Sequence, residues 1–201
     1  PQNVTEASGQ VGPMTYNAAG QVLSFTNPKQ ETTTYSYNTG GQTLSVTEPV
    51  TSATTTYTYD VQGRVRTVTD ADNYTITTDY DAFNRPTRLT YPDGTYKETT
   101  YNRLDPATSR DRLGRITRYY YDSLGRLVST RDPMGRVFRQ EWCTCGSLAR
   151  LVDANGHGTS WDHDLQGRII RAARADGHAT QYAFEDRTSR LKSVTDPKLQ
   201  V

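Results

Sequence analysis

Aliphatic bulk is scarce in this sequence. Only 33% of its 201 residues are hydrophobic, and the 10% aromatic share comes from 14 Tyr against 4 Phe and 2 Trp. Such a chain buries thin layers, not a thick globular core. No run approaches the roughly 18 apolar residues of a membrane span, so no membrane span is expected. A surplus of one charge is missing too: 23 Lys and Arg stand against 22 Asp and Glu, with the signs alternating along the chain. That pattern argues against a dedicated nucleic-acid groove or a membrane-surface helix. Two Cys, at 143 and 145, cannot form a disulfide framework for a protein of this size. The start, Pro1-Gln2-Asn3-Val4, is neither an initiator Met nor a signal peptide, and the chain reads as a piece of something longer.

What the sequence does have is a repeat. Aligning on an aromatic followed by a small polar or acidic residue gives nine anchors: Tyr16, Tyr37, Tyr59, Tyr80, Tyr101, Tyr121, Trp142, His163 and Phe184. Their spacings are 21, 22, 21, 21, 20, 21, 21 and 21 residues. Trp142 and His163 are accepted as degenerate members because they fall on the period and keep a planar side chain. Thr, Tyr and Val dominate between the turns, and these residues fit a pleated, half-buried surface. The predicted fold is all-β: a single array over residues 1–201, with no separate domains.

Each anchor opens a turn signature, as in Tyr59-Asp60-Val61-Gln62-Gly63-Arg64, Tyr121-Asp122-Ser123-Leu124-Gly125-Arg126 and His163-Asp164-Leu165-Gln166-Gly167-Arg168. The acid can accept backbone N–H bonds, and Gly supplies the positive φ that closes a type I turn with a bulge. A second version follows about ten residues later, at Asp111 to Gly114, Asp132 to Gly135 and Asp153 to Gly156. Each repeat is therefore two strands and two turns. The period of two puts the anchor and the residue two before it, such as Tyr57 and Tyr59, on one aromatic face. Positions seven and nine after the anchor, such as Leu44 and Val46, are expected to share an apolar face. Nine repeats make about 18 strands in a continuous antiparallel meander. At the usual inter-strand spacing that is on the order of 85 Å wide, which must curl into a spiral strip, shell or tube.

Two places strain the pattern. Asp81 to Pro86 carries Asn84 where Gly is expected, which Asn tolerates, while Pro86 removes a ladder donor. Tyr101 to Pro106 has no Gly, and an irregular turn with a short polar strand from Ala107 to Arg110 is expected after it. The first fifteen residues and the last five carry no complete unit.

The chemistry-bearing residues give no catalytic constellation. Asp60 and Asp81 resemble a carboxylate dyad only superficially, because acids recur at every turn and each is expected to cap its own. The Gly-Arg arginines at 64, 115, 126, 136 and 168 are expected to pair with neighbouring turn acids in preference to binding anions. Cys143-Thr144-Cys145 with His157, His163 and His178 is the one concentration of metal-ligand types. A single Cys-x-Cys does not match the two paired ligand groups of ordinary zinc sites. The cysteines are read as small residues filling a turn, with a metal or redox role and a local or intermolecular disulfide as the alternatives. No cofactor and no metal are assigned, and His163 is read as a substitute for a ladder Tyr.

Tyr121 to Arg136 (YDSLGRLVSTRDPMGR), Tyr59 to Arg64 and their recurrence over about residues 16 to 197 resemble the Rhs/YD-repeat family. The resemblance implies a long β-strip that spirals into a hollow shell. In bacterial polymorphic toxins and insecticidal toxin complexes that shell encloses a cytotoxic domain, and in teneurins a similar barrel supports adhesion outside the cell. It implies a non-catalytic scaffold, secreted or at the bacterial cell surface. The implied partners are other Rhs/YD repeats of the same or neighbouring chains, and an enclosed toxin domain or a surface glycan or protein. Two rival expectations stand beside it: an adhesion or glycan-binding surface with exposed rings such as Trp161, and a self-assembling fibre or tube of stacked repeats.

Overall fold

The computed structural model describes residues 4–5, 11–196 and 198. The expectations about the first fifteen and last five residues therefore lie partly outside them. The chain divides into two compact units, Pro1–Glu98 and Thr99–Val201. Among the described residues there is no helix, and so none long and apolar enough to cross a membrane.

The first unit begins with a two-stranded ribbon, β1 (Val4–Thr5) and β2 (Val11–Gly12), with Val4 opposite Gly12. A meander follows: β3 (Met14–Tyr16), β4 (Val22–Thr26), β5 (Thr32–Tyr37), β6 (Thr43–Thr47), β7 (Thr54–Tyr59), β8 (Val65–Thr69), β9 (Thr75–Tyr80), β10 (Pro86–Thr90) and the start of β11 (Tyr96–Asn102). Each strand from β3 to β10 pairs antiparallel with the next. The second unit holds the end of β11, then β12 (Asp105–Arg110), β13 (Ile116–Tyr121), β14 (Leu127–Arg131), β15 (Val137–Trp142), β16 (Leu148–Val152), β17 (Gly158–His163), β18 (Ile169–Ala173), β19 (Ala179–Phe184) and β20 (Leu191–Thr195). From β12 onward these strands again pair antiparallel in chain order. The all-β antiparallel meander of two-strand repeats is thus observed directly.

The strands form because Thr, Ser and Tyr alternate at period two. In β5 the burial alternates along Thr32 to Tyr37, with Tyr35 and Tyr37 half-buried and Thr34 and Ser36 exposed. Tyr35 lies opposite Val46 and Tyr57 opposite Val68, so ring and β-branched side chain cover each other. On the other face hydroxyls pair across the strands, as in Thr58 with Thr67 at 2.6 Å and Ser36 with Ser45 at 2.6 Å. The layer is thin: among the described residues the buried hydrophobic side chains are Val152 and Ala173. All nine anchors are half-buried.

The register contains a feature the sequence reading passed over. Seven residues after the anchor, one residue bulges out of the ladder: Leu23, Leu44, Arg66, Thr87, Val128, Ala149 and Ile170. An extra residue on one strand bends it and breaks strict alternation. This corrects the expectation that positions seven and nine share one apolar face. Leu44, at the bulge, is exposed at 39%, whereas Val46 is half-buried against Tyr35. The carbonyl just before the bulge is taken by the next anchor. Tyr37 Oη donates to Val22 O at 2.8 Å, Tyr59 Oη to Thr43 O at 2.7 Å, Tyr80 Oη to Val65 O at 2.9 Å and Trp142 Nε1 to Leu127 O at 2.8 Å.

Irregular spacings have local causes. The 22-residue interval from Tyr37 to Tyr59 contains a longer turn, closed by Glu48 N donating to Ala53 O. The 20-residue interval from Tyr101 to Tyr121 contains the two-residue turn Arg103-Leu104, with Arg103 at φ 56°. The strand after it is not short: β12 runs six residues from Asp105 and includes Pro106. The tight turn lets the strand begin two residues earlier than the motif suggested. Asn84 does adopt the left-handed conformation, at φ 63°, and Pro86 sits at the first position of β10 beside a register shift.

These contacts give a stability prediction. Tyr59→Phe removes one hydroxyl bond and is expected to cost about 1 kcal/mol, while Tyr59→Ala also removes the ring and is expected to cost about 3 kcal/mol. Urea denaturation of both variants checks this, and equal losses would show that the hydroxyl contributes nothing.

Candidate functional site

Functional candidates lie in the repeated cell made by a turn and the next anchor. In the cell at Asp60, Oδ1 accepts from the backbone N–H groups of Gln62 and Arg64, both at 2.9 Å. Its Oδ2 accepts from Arg64 Nε at 2.7 Å. The ring of hydrogen bonds is closed by Asp60 N to Arg64 O and Gly63 N to Asp60 O, with Gly63 at φ 81°. Arg64 then reaches onward. Its Nη1 donates to Asp81 O at 2.8 Å in the following turn, and its guanidinium lies 4.6 Å from the Tyr80 ring centroid. One side chain therefore closes its own turn, fastens the next turn and covers the next anchor.

The cell recurs with small changes. Asp81 accepts from Phe83 N, Arg85 N and Arg85 Nε. Asp122 holds Leu124 N, Arg126 N and Arg126 Nε, and Arg126 stacks on Trp142 at 5.7 Å. Gly125, at φ 75°, closes that turn. Asp164 holds Gln166 N, Arg168 N and Arg168 Nε, with Gly167 in the same left-handed conformation and Arg168 stacked on Phe184 at 4.5 Å. In the earliest turns an amide pair does the same work: Asn38 Oδ1 accepts from Gly40 N and Gln42 N, and Gln42 Nε2 donates to Gly63 O at 2.8 Å. Arg115 and Arg136 likewise pair with their own turn acids, Asp111 and Asp132.

The remaining anchors keep the lattice position with other contacts. Tyr16 Oη donates to Met14 Sδ at 3.1 Å. Tyr101 is half-buried in β11. Tyr121 is half-buried, and burial, with the nearby Asp105 carboxylate and Tyr119, raises its phenol above the ordinary range. An open recess of about 510 Å³ lies here, where the two-residue turn interrupts the lattice, lined by Leu104, Asp105, Tyr119 and Tyr121 among others.

Asp60 and Asp81 are each engaged by their own turns, so no free carboxylate pair is assembled. Cys143 and Cys145 are joined in a disulfide. The reading of both as small turn-filling residues is incomplete, and the local disulfide among its alternatives is the one formed. Their sulfurs and a ring nitrogen of His163 lie within 4.8 Å of one another. Neither this grouping nor the arginine bridge between turns follows from spacing alone. Comparing repeats column by column holds the only signal: the cell that opens with Cys in place of Asp or Asn is the one followed by a His anchor.

A family model, Teneurin YD-shell, matches residues 2–195. The chain belongs to the teneurin YD-shell family. No curated protein matches it. Among solved structures, this YD-shell chain is similar to one of a TcdB2-TccC3-Cdc42 assembly, with TM-score 0.68 and 13% identity, over 90% of this chain and 12% of that one. A TcdB2-TccC3 structure matches with TM-score 0.60 and 14% identity, over 96% of this chain and 13% of that one. The Tc holotoxin pore of Photorhabdus luminescens matches with TM-score 0.55 and 14% identity, over 96% of this chain and 16% of that one. The chain thus spans a small part of the length of those structures, and at these identities the likeness is one of fold. Family membership and fold together support a structural shell role.

The turn carboxylates make an acid-stability prediction. At Asp60, partial burial pushes the carboxyl up. The backbone bond from Arg64, its guanidinium and the bond from Gln62 outweigh that, so the group stays below its ordinary value of 3.8. Asp81, Asp111, Asp132, Asp153 and Asp164 are depressed by the same opposition, and Asp122 and Asp176 chiefly by backbone N–H bonds. A depressed folded-state pKa stabilises above the unfolded value and loses that stabilisation as pH falls through the folded one. Stability is therefore expected to drop below about pH 3.8. Replacing Asp60 and Arg64 by Asn and Gln, the pair native to residues 38 and 42, should leave the fold intact at neutral pH and flatten the acid limb. Thermal melts from pH 7 to pH 2 would reveal an unchanged limb if the carboxylate were idle.

Proposed function

We propose that this chain is wall material of a YD shell. Its repeats form one array over residues 1–201 that continues into other Rhs/YD repeats of the same or neighbouring chains. The wall encloses or presents another polypeptide, such as a toxin domain, outside the cell. The working residues are the lattice itself: anchors Tyr16, Tyr37, Tyr59, Tyr80, Tyr101, Tyr121, Trp142 and His163, with the Asp, Gly and Arg of their turns. The role is non-catalytic.

The observation that supports this reading most is the half-burial of every anchor in a layer where, among the described residues, almost no side chain is fully buried. A surface half-covered throughout suits a wall whose rings are spent on stacking. An adhesin would be favoured by exposed rings in a cluster. Among the described residues the exposed Tyr, Phe and Trp rings are Tyr74, Phe83 and Tyr120: the first two sit beyond opposite ends of β9, a strand on the order of 20 Å long, and Tyr120 lies in β13.

Electron microscopy and protease challenge of a polypeptide containing these repeats test the proposal. A hollow particle is expected, with the 21-residue repeats in its wall and a second polypeptide protected inside. Ready digestion of that polypeptide in the intact particle would overturn the reading. Fibres grown from the 201-residue chain would point to end-to-end assembly, and saturable binding to a glycan panel to adhesion.

A further inference from the structure

One cell of the lattice departs from the rest at every position that matters. Where other anchor turns open with Asp60, Asp81, Asp122 or Asp164, this one opens with Cys143. Where they close with Arg64, Arg85, Arg126 or Arg168, it has Ser147, and the following anchor is His163 in place of an aromatic ring. The third turn position adds Cys145. The turn itself is preserved: Cys143 N donates to Ser147 O at 3.0 Å and Gly146 N to Cys143 O at 3.1 Å. The ion pair and the cation–ring stack of the Asp60, Asp122 and Asp164 cells are thus exchanged together for two sulfurs and an imidazole.

We propose that this cell, once its disulfide is reduced, binds a thiophilic divalent cation of the zinc type through Cys143, Cys145 and His163. Their three ligand atoms already lie within 4.8 Å of one another. Zinc–sulfur and zinc–nitrogen bonds of about 2.3 and 2.0 Å put such atoms within about 4 Å of each other around one ion, so small side-chain movements suffice. Two thiolates and an imidazole select a soft or borderline ion over calcium or magnesium. The fourth tetrahedral position is left to solvent.

Ser147 N donates to Cys143 Sγ at 3.3 Å, as Arg64 N donates to the Asp60 carboxylate. The Cys143 sulfur therefore takes the place that the carboxylates of Asp60, Asp81, Asp122 and Asp164 fill in the ionic cells. Arg126 of the preceding turn adds positive charge, its Nη1 being 3.5 Å from Cys143 O. Without an arginine at 147 no guanidinium covers the His163 ring, and among the described residues that ring forms no hydrogen bond. Half-buried and on the neighbouring hairpin, it ties the turn to the next repeat when it ligates, replacing the bridge that Arg64 makes elsewhere.

The chemistry balances with a dithiol as reductant. The dithiol gives two electrons and two protons to the Cys143–Cys145 bond and leaves as a cyclic disulfide, so that two thiols remain. Zinc then displaces both thiol protons to solvent. Because the disulfide spans only two residues, its reduction releases little chain, and the sheet is expected to persist.

The test uses the 201-residue chain, treated with a small dithiol, desalted without oxygen and titrated with zinc against a chromophoric chelator. One zinc per chain is expected in the reduced protein and none in the oxidised one. Cobalt in place of zinc should give a thiolate charge-transfer band. His163→Tyr restores the residue of six other anchors, so it is expected to fold normally while weakening zinc binding at least about tenfold, and Cys143→Ser and Cys145→Ser should weaken it further. Circular dichroism checks that each variant retains its sheet. The proposal is overturned if no thiols appear on dithiol treatment, if the reduced chain binds no more zinc than the oxidised one, or if His163→Tyr binds as tightly as the natural chain.

Discussion

Everything in this structure depends on how a side chain in one turn is shared with the next. Asp60 satisfies two backbone N–H groups of its turn and fixes the guanidinium of Arg64, which in turn fastens Asp81 O and covers Tyr80. Isolated surface ion pairs contribute little. Here the pair is partly shielded, and it is one member of a hydrogen-bonded network that also satisfies main-chain groups, which is where such contacts become effective. In a layer whose buried hydrophobic side chains, among the described residues, are Val152 and Ala173, order comes from directional bonds at the rims and from rings stacked between them.

The anchors complete that logic. A tyrosine has enough apolar body to cover a β-branched neighbour and a hydroxyl that reaches a carbonyl beside the bulge. Phe can supply only the first of these and Thr only the second, which accounts for a composition so weighted to Tyr. The bulge and the hydroxyl contact are parts of one device, since the carbonyl used is the one immediately before the extra residue in each hairpin that shows both.

Much of the fold was legible in the sequence because its period is visible without any structure. Tyr59-Asp60 and Gly63 announce turn, anchor and strand direction together. The bulges were not legible, because Leu44 and Val46 look alike in hydrophobicity, and only register separates them. The strand after Tyr101 was read as too short because its turn lacks a Gly, whereas the two-residue turn lets β12 begin at Asp105. The turn-to-turn arginine bridge was hidden for a different reason. Local spacing shows that Arg64 can reach Asp60, but nothing in it shows that the same group also reaches a residue 17 positions away. The unusual cell at Cys143 was visible as a departure, while the convergence of its sulfurs with His163 needed the lattice geometry.

The order of turn types along the chain has one more consequence. The first anchor turns are closed by uncharged amides, Asn17 with Gln21 and Asn38 with Gln42, and four of the later ones by carboxylate and guanidinium, at Asp60, Asp81, Asp122 and Asp164. Amide clasps are indifferent to protons and salt, whereas ionic clasps are weakened by both. Acid or brine therefore does not loosen the sheet evenly. The amide-clasped hairpins outlast the ionic ones, which open first.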